Sequence, residues 1–160
     1  GDPADPAALK DGIIAELFDG LNTYAHAENK PTLRTVLSTL KLGSTPPLNP
    51  GQGLRNWPFS ESMAAIYSGF VEIDQEGTYT FFVESDDGAK LYIDGVLLVD
   101  NDGNHPLKEA NGAKPLTKGL HRIWIEYFNS ASMYGFNAYM QRQGADKQPL
   151  AAQLKYDPTE

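Results

Sequence analysis

The sequence predicts an all-β sandwich or barrel carrying one short helical insertion near residues 32–41. Three observations lead there. From Ser62 onward the chain breaks into short runs rich in aromatic and β-branched residues, separated by turn residues. Asp94-Gly95 stands between two apolar runs, a strong tight-turn signal for a hairpin. Before Ser62, one segment alone carries a helical period.

Taken in order, "GIIAELFD" (12–19) is apolar and bounded by Asp-Gly on both sides, which predicts a strand. In "PTLRTVLSTLKLG", Leu33, Val36, Leu37 and Leu40 follow the i, i+3, i+4, i+7 rule. Pro31 suits the start of a helix there and Gly43 its stop. Residues 43–58, "GSTPPLNPGQGLRNWP", read as a turn-rich loop. Its Gly-x-Gly lacks the third glycine and the strand–loop–helix setting of a dinucleotide-binding loop.

Six strand candidates follow: "MAAIYSGFVEI", "GTYTFFVES", "AKLYIDG", "VLLVD", "LHRIWIEYFN" and "GFNAYMQRQ". Alternation assigns Tyr79, Phe81 and Val83 to one face. It assigns His121, Ile123, Ile125 and Tyr127 to the core, with Leu120, Arg122, Trp124 and Glu126 opposite. Residues 12–156 are expected to form one domain. The Asp-Pro-rich ends, 1–11 and 157–160, read as linkers or an appended tail, as in a module of a larger protein.

Composition narrows the function. The 160 residues hold 13 basic and 21 acidic side chains, a net charge of −8. That disfavours nucleic acid and anionic membrane as partners and suits divalent cations. Without cysteine there is no disulfide, zinc thiolate or thiol nucleophile. No apolar run is long enough to span a bilayer. His26, His105 and His121 have no metal-binding spacing, and no Gly-x-Ser-x-Gly elbow is present.

The chemically loaded stretch is "ESDDGAKLYIDG" (84–95). Neighbouring strand residues point to opposite faces, so Asp86 and Asp87 can share a ligand only if the pleat breaks. Gly88 marks a candidate break, and a cis peptide between the aspartates is one way to make it. The readings are an ordinary Asp-Asp-Gly turn or a pair of ligands for one hard cation such as calcium. An acid/base pair flanking a glycosidic bond is disfavoured, because sequence neighbours sit too close together. "VDNDGNH" (99–105) misses the EF-hand spacing and reads as a turn bonding its own backbone.

Together, Gly77-Thr-Tyr79-Thr-Phe81, Asp86-Asp87-Gly88, Leu91-Tyr-Ile93-Asp94-Gly95 and Gly119-Leu-His121 closely resemble the protective-antigen homology (PA14) domain, over roughly residues 12–156. The closing "KQPLAAQLKY" resembles that family's last strand. The resemblance implies a two-sheet antiparallel β-sandwich. From its lectin-like members it implies a calcium ion held by Asp86 and Asp87 through a cis peptide, by the Asn129 side chain, and by the carbonyls of Ala131 and Met133. Sugar hydroxyls would bind that calcium directly. Tyr134, which could instead be a core or rim tyrosine, and more weakly His105 and Trp57, are rim candidates for the sugar. The expectation is a non-enzymatic, calcium-dependent carbohydrate-binding module, extracellular or at the cell surface, with glycans and other domains of a parent chain as partners. The alternative is a spacer or protein-interaction module whose calcium is purely structural.

Overall fold

The computed structural model describes residues 6–40, 42–43, 62–131 and 133–160. The chain runs β1 (Lys10–Asp11), β2 (Ile13–Asp19), β3 (Leu33–Leu37), β4 (Leu42–Gly43), β5 (Met63–Ile73), β6 (Gly77–Asp86), β7 (Ala89–Ile93) and β8 (Val96–Asn101). It continues through β9 (Lys108–Leu116), β10 (Gly119–Asn129), β11 (Gly135–Arg142), β12 (Gln148–Pro149) and β13 (Leu154–Tyr156). Among the described residues these form two antiparallel sheets, as expected.

The larger sheet runs β1-β13-β5-β10-β7-β8, with β2 on β5 and β3 on β2. The smaller runs β12-β11-β6-β9, with β4 on β11. Lys10 and Asp11, inside the segment read as a linker, pair with Tyr156 and Lys155.

Alternation fills the space between the sheets. Tyr79, Phe81 and Val83 of β6 face Ile123, Ile125 and Tyr127 of β10, all of them buried. Tyr67 of the large sheet stacks on Phe136 of the small one with ring centroids 5.4 Å apart, and Tyr127 tilts against the same ring at 5.2 Å. Aromatic pairs of this kind add attraction beyond their buried area.

The helix expected near 32–41 is a strand. β3 pairs antiparallel with β2, from Leu33↔Leu17 to Leu37↔Ile13. Of the four residues on the supposed helical face only Leu40 is buried, while Leu33 and Val36 lie exposed. The segment carries Thr32, Thr35, Val36 and Thr39, whose branched side chains favour strands, and it covers the edge of β2 that would otherwise be unpaired.

β9 was not anticipated from sequence. "KEANGAKPL" has no apolar alternation, because this edge strand pairs through its backbone with β6 and leaves most side chains in solvent. An edge position also tolerates Pro115. Gly112 is required there, since a Cβ would lie 2.1 Å from the Leu98 carbonyl oxygen of β8.

The hairpin is as read. Asp94 turns at φ 50° and Gly95 at φ 81°. Asp94 then clamps the neighbouring strand: its Oδ1 accepts from the Arg122 N–H at 3.0 Å, and its Oδ2 lies 2.7 Å from His121 Nδ1. His121 Nε2 sits 2.8 Å from the Thr117 carbonyl. This histidine ties the hairpin to the start of β10.

Candidate functional site at a sheet-crossing corner

Three of the connections that cross between the sheets meet at one corner. β6 of the small sheet passes through Asp86-Asp87-Gly88 into β7 of the large one. β8 returns to β9 through residues 102–107, and β10 returns to β11 through 130–134. The register brings them to one corner: Asp86 pairs with Gly135, Ala89 with Asn101, and Ala89 with Tyr127. The pleat therefore breaks at the aspartates because the chain changes sheets there.

The Asp86–Asp87 peptide is cis. The two carboxyls lie within hydrogen-bonding reach of one another, and the Asp86 carboxyl is pushed above the usual range, first by burial and next by the Asp87 charge. Two like charges meet at one point, an arrangement that invites a cation or a proton.

Asp87 is buried and held by both returning loops. Its Oδ1 accepts from the His105 N–H at 3.1 Å. Its Oδ2 accepts from the Ser130 N–H at 2.8 Å and the Ser130 hydroxyl at 2.9 Å. A carboxylate offers about four lone-pair sites, so roughly one remains open on Asp87. The Asp87 N–H donates to the Phe128 carbonyl at 3.1 Å, and the Phe128 N–H donates to the Gly88 carbonyl at 3.0 Å. The hydroxyl of Tyr127, a core ring, donates to the Asp86 carbonyl at 2.7 Å.

Gly88 is fixed by space. A Cβ there would lie 2.4 Å from Phe128 Cε1, 2.8 Å from the Tyr24 hydroxyl and 3.0 Å from the Gly103 nitrogen.

Asn129, the last residue of β10, is fully buried. It has contacts of its own, and its Oδ1 is a buried side-chain oxygen that accepts no hydrogen bond among the described residues. Ala131 and Met133 lie exposed in the loop beyond it, Met133 at 65%. Two carboxylates and an amide oxygen, with carbonyls of the loop, would make an all-oxygen donor set of the kind a hard cation of calcium's size takes. No group of three or more His, Cys, Asp or Glu side chains forms a metal site among the described residues, so the fit rests on the amide and the carbonyls.

The rim candidates separate. His105 is at the corner, but its backbone N–H makes the contact. Its ring nitrogens lie 2.8 Å from the carbonyls of Pro106 and Asn101, which ties the ring into its own loop. Tyr134 packs partly buried against the main core, matching its reading as a core tyrosine. Trp57 lies outside the described residues. The acidic loop behaves as a self-bonded turn, with Asp102 N–H on Asp100 Oδ1 at 3.1 Å and Gly103 N–H on Asp102 Oδ1 at 2.7 Å.

Sequence reasoning missed Ser130 and Asn101. The one Ser130 hydroxyl proton is shared between Asp87 Oδ2 and Asn104 Oδ1, the latter 2.6 Å from the hydroxyl oxygen. Asn101, buried, directs its amide nitrogen at the Val83 carbonyl, the Ser85 hydroxyl and the Lys108 carbonyl at 3.0–3.1 Å, so β8 and β9 are pinned to β6 beside the corner. A polar residue ending an apolar strand was the only available signal for either.

The PA14 domain family model matches residues 58–150. An alpha-agarase of Thalassotalea agarivorans is 35% identical over 65 residues, covering 41% of this chain and only 4% of the agarase. The PA14 sugar-binding domain from an RTX adhesin superposes with TM-score 0.74 at 16% identity, covering 91% of this chain and 98% of that one. The epithelial adhesin 9 A domain of Candida glabrata, solved with Galβ1-3GlcNAc, superposes with TM-score 0.70 at 11% identity, covering 100% and 96%. At these identities the superpositions speak for the fold.

Proposed function

The chain belongs to the PA14 domain family, and on that premise we propose that it is a calcium-dependent carbohydrate-binding module of a larger secreted or cell-surface protein. The observation that carries the reading is the meeting of the Asp86 and Asp87 carboxyls at the corner where Asn129 ends β10. Asp86, Asp87 and the Asn129 amide oxygen would hold the ion, helped by the carbonyls of Ala131 and Met133. Bound calcium supplies a centre that vicinal sugar hydroxyls can coordinate in place of water. The chain's own part is to fix the donors: Ser130 and the His105 N–H orient Asp87, and Tyr127 orients the Asp86 backbone.

Relatives support the carbohydrate half of the reading. The RTX adhesin domain is described as sugar-binding, the epithelial adhesin domain was solved with Galβ1-3GlcNAc, and the agarase is named for action on agar. A binding module fits a corner whose polar groups hold one another in place.

The three donors already on Asp87 favour a second reading, in which calcium only stiffens the corner of a spacer domain. A glycan array that includes agaro-oligosaccharides, probed with the wild type in calcium, the wild type in EDTA, and Asp87→Ala, separates the two. The lectin reading predicts hits that vanish in EDTA and in the variant. An array without calcium-dependent hits, on a protein whose melting temperature calcium still raises, would leave only the spacer reading.

A further inference from the structure

The outer face of the large sheet is covered at one end and open at the other. At the covered end, Leu21, Tyr24 and Ala25 of the β2–β3 connection pack onto Phe18, Ala64, Ile66 and Phe128. The open end centres on Trp124. This residue lies on β10, between β5 and β7, opposite Ser68 on one side and Tyr92 on the other. Among the exposed large hydrophobic side chains described, Trp124 is the one aromatic. Its ring, 36% exposed, stands away from the sheet edges beside the half-buried Tyr92.

The local chemistry describes that occupant. Trp124, Tyr92, Gly95, Arg122 and Glu126 line a depression of about 400 Å³. That volume is in the range of small-molecule sites. The indole is pinned, its Nε1–H donating to Glu126 Oε1 at 3.1 Å. Glu126 Oε2 remains to accept from a hydroxyl. Arg122 forms a fixed wall, its guanidinium 4.5 Å above the Phe70 ring and paired in two places with Glu160 at 2.9 and 3.2 Å. The Tyr92 phenol, protonated at neutral pH like any tyrosine, adds a hydrogen-bond donor to the rim.

The rim therefore mixes acid, base and phenol around a pre-oriented aromatic plane. A strongly charged ligand would meet a like charge on one side or the other. A neutral pyranose matches: its C–H face lies on the indole and its equatorial hydroxyls reach the rim. β-1,4-Linked glucose, with every ring substituent equatorial, presents the flattest such face. We propose that this shelf is a second saccharide site, independent of calcium, that takes a β-1,4-linked gluco-configured chain on Trp124.

The test is nitrogen-15 NMR on the whole chain in EDTA, titrated with cellohexaose. EDTA removes any contribution from the Asp86–Asp87 corner, so the outcome is independent of the calcium reading. The chain has two indole N–H signals, from Trp57 and Trp124, and Trp124→Phe assigns them. The expected result is a saturable shift of the Trp124 indole and of β7 and β10 amides, weakened by about tenfold or more in Trp124→Ala. If Trp124→Ala does not fold, Tyr92→Ala and Glu126→Ala carry the same comparison, each expected to weaken binding. The proposal is overturned by absence of a saturable shift, by equal affinity in the variants, or by indole shifts that follow protein concentration without sugar. That last outcome would put a second copy of the chain on the shelf.

Discussion

Ser130 donates twice to one oxygen of Asp87, from its backbone nitrogen at 2.8 Å and its hydroxyl at 2.9 Å. The residue that leaves the large sheet at the end of β10 thus grips the residue that enters it before β7. This contact couples two sheet crossings and sets the direction in which Asp87 can offer its remaining lone pair.

Ser130→Ala removes the hydroxyl donor and keeps the N–H. A hydrogen bond to a charged group contributes about 1.5–3 kcal/mol, part of which acts here by orienting Asp87. Calcium affinity measured by calorimetry should fall by about tenfold while the far-ultraviolet spectrum stays unchanged. Unaltered affinity would show that Asp87 needs no such orientation.

Gly88→Ala should destabilise the domain by about 1–3 kcal/mol, the usual cost of forcing atoms into a filled core. The added methyl would stand 2.4 Å from Phe128 Cε1, with the Tyr24 hydroxyl at 2.8 Å on its other side. Urea unfolding of the calcium-free protein reads this directly. A midpoint equal to wild type would mean that the corner has space the structure does not show.

Asp86 makes the corner sensitive to acid. Its carboxyl is raised by burial and by the Asp87 charge, so the folded, calcium-free chain binds a proton there more tightly than the unfolded chain does. That contribution to stability is full at low pH and is lost as pH rises from the usual carboxylate range through the raised value. Calcium reverses the preference, since it needs the ionised form. The wild type should lose calcium affinity on acidification sooner than an ordinary carboxylate site would. Asp86→Asn should remove the associated proton release, measured by calorimetry in buffers of different ionisation enthalpy. Equal proton release from both proteins would contradict the assignment.

His121→Ala should cost about 0.5–1.5 kcal/mol for each hydrogen bond lost to Asp94 and Thr117. Calcium affinity should not change, because this clamp sits at the Asp94-Gly95 hairpin and not at the corner. A loss of calcium binding in this variant would show that the hairpin positions the site.

Legibility followed how each residue acts. Strands that bury one face announced themselves by alternation, as in Phe81 and Val83 or Ile123 and Ile125, and the hairpin by Asp94-Gly95. β9 carries no such pattern because its backbone does the pairing. β3 misled because four apolar residues at helical spacing were read as a buried face, while the edge of β2 captured them as a strand. At the corner, Asp86, Asp87, Gly88 and Asn129 were readable as chemistry in a familiar order. Ser130, Asn101 and the His105 N–H were not, since their roles come from loops that meet only after the sheets have formed. Trp124 was placed correctly on the outer face by alternation, but its openness depends on where the β2–β3 connection ends.

The most direct test of the central claim is a crystal structure from crystals grown with calcium, using anomalous scattering to locate the ion. The account predicts one calcium bound by Asp86, Asp87 and Asn129, with carbonyls of the 130–134 loop completing the protein ligands. A corner free of anomalous density at saturating calcium, or an ion bound elsewhere on the domain, would contradict it.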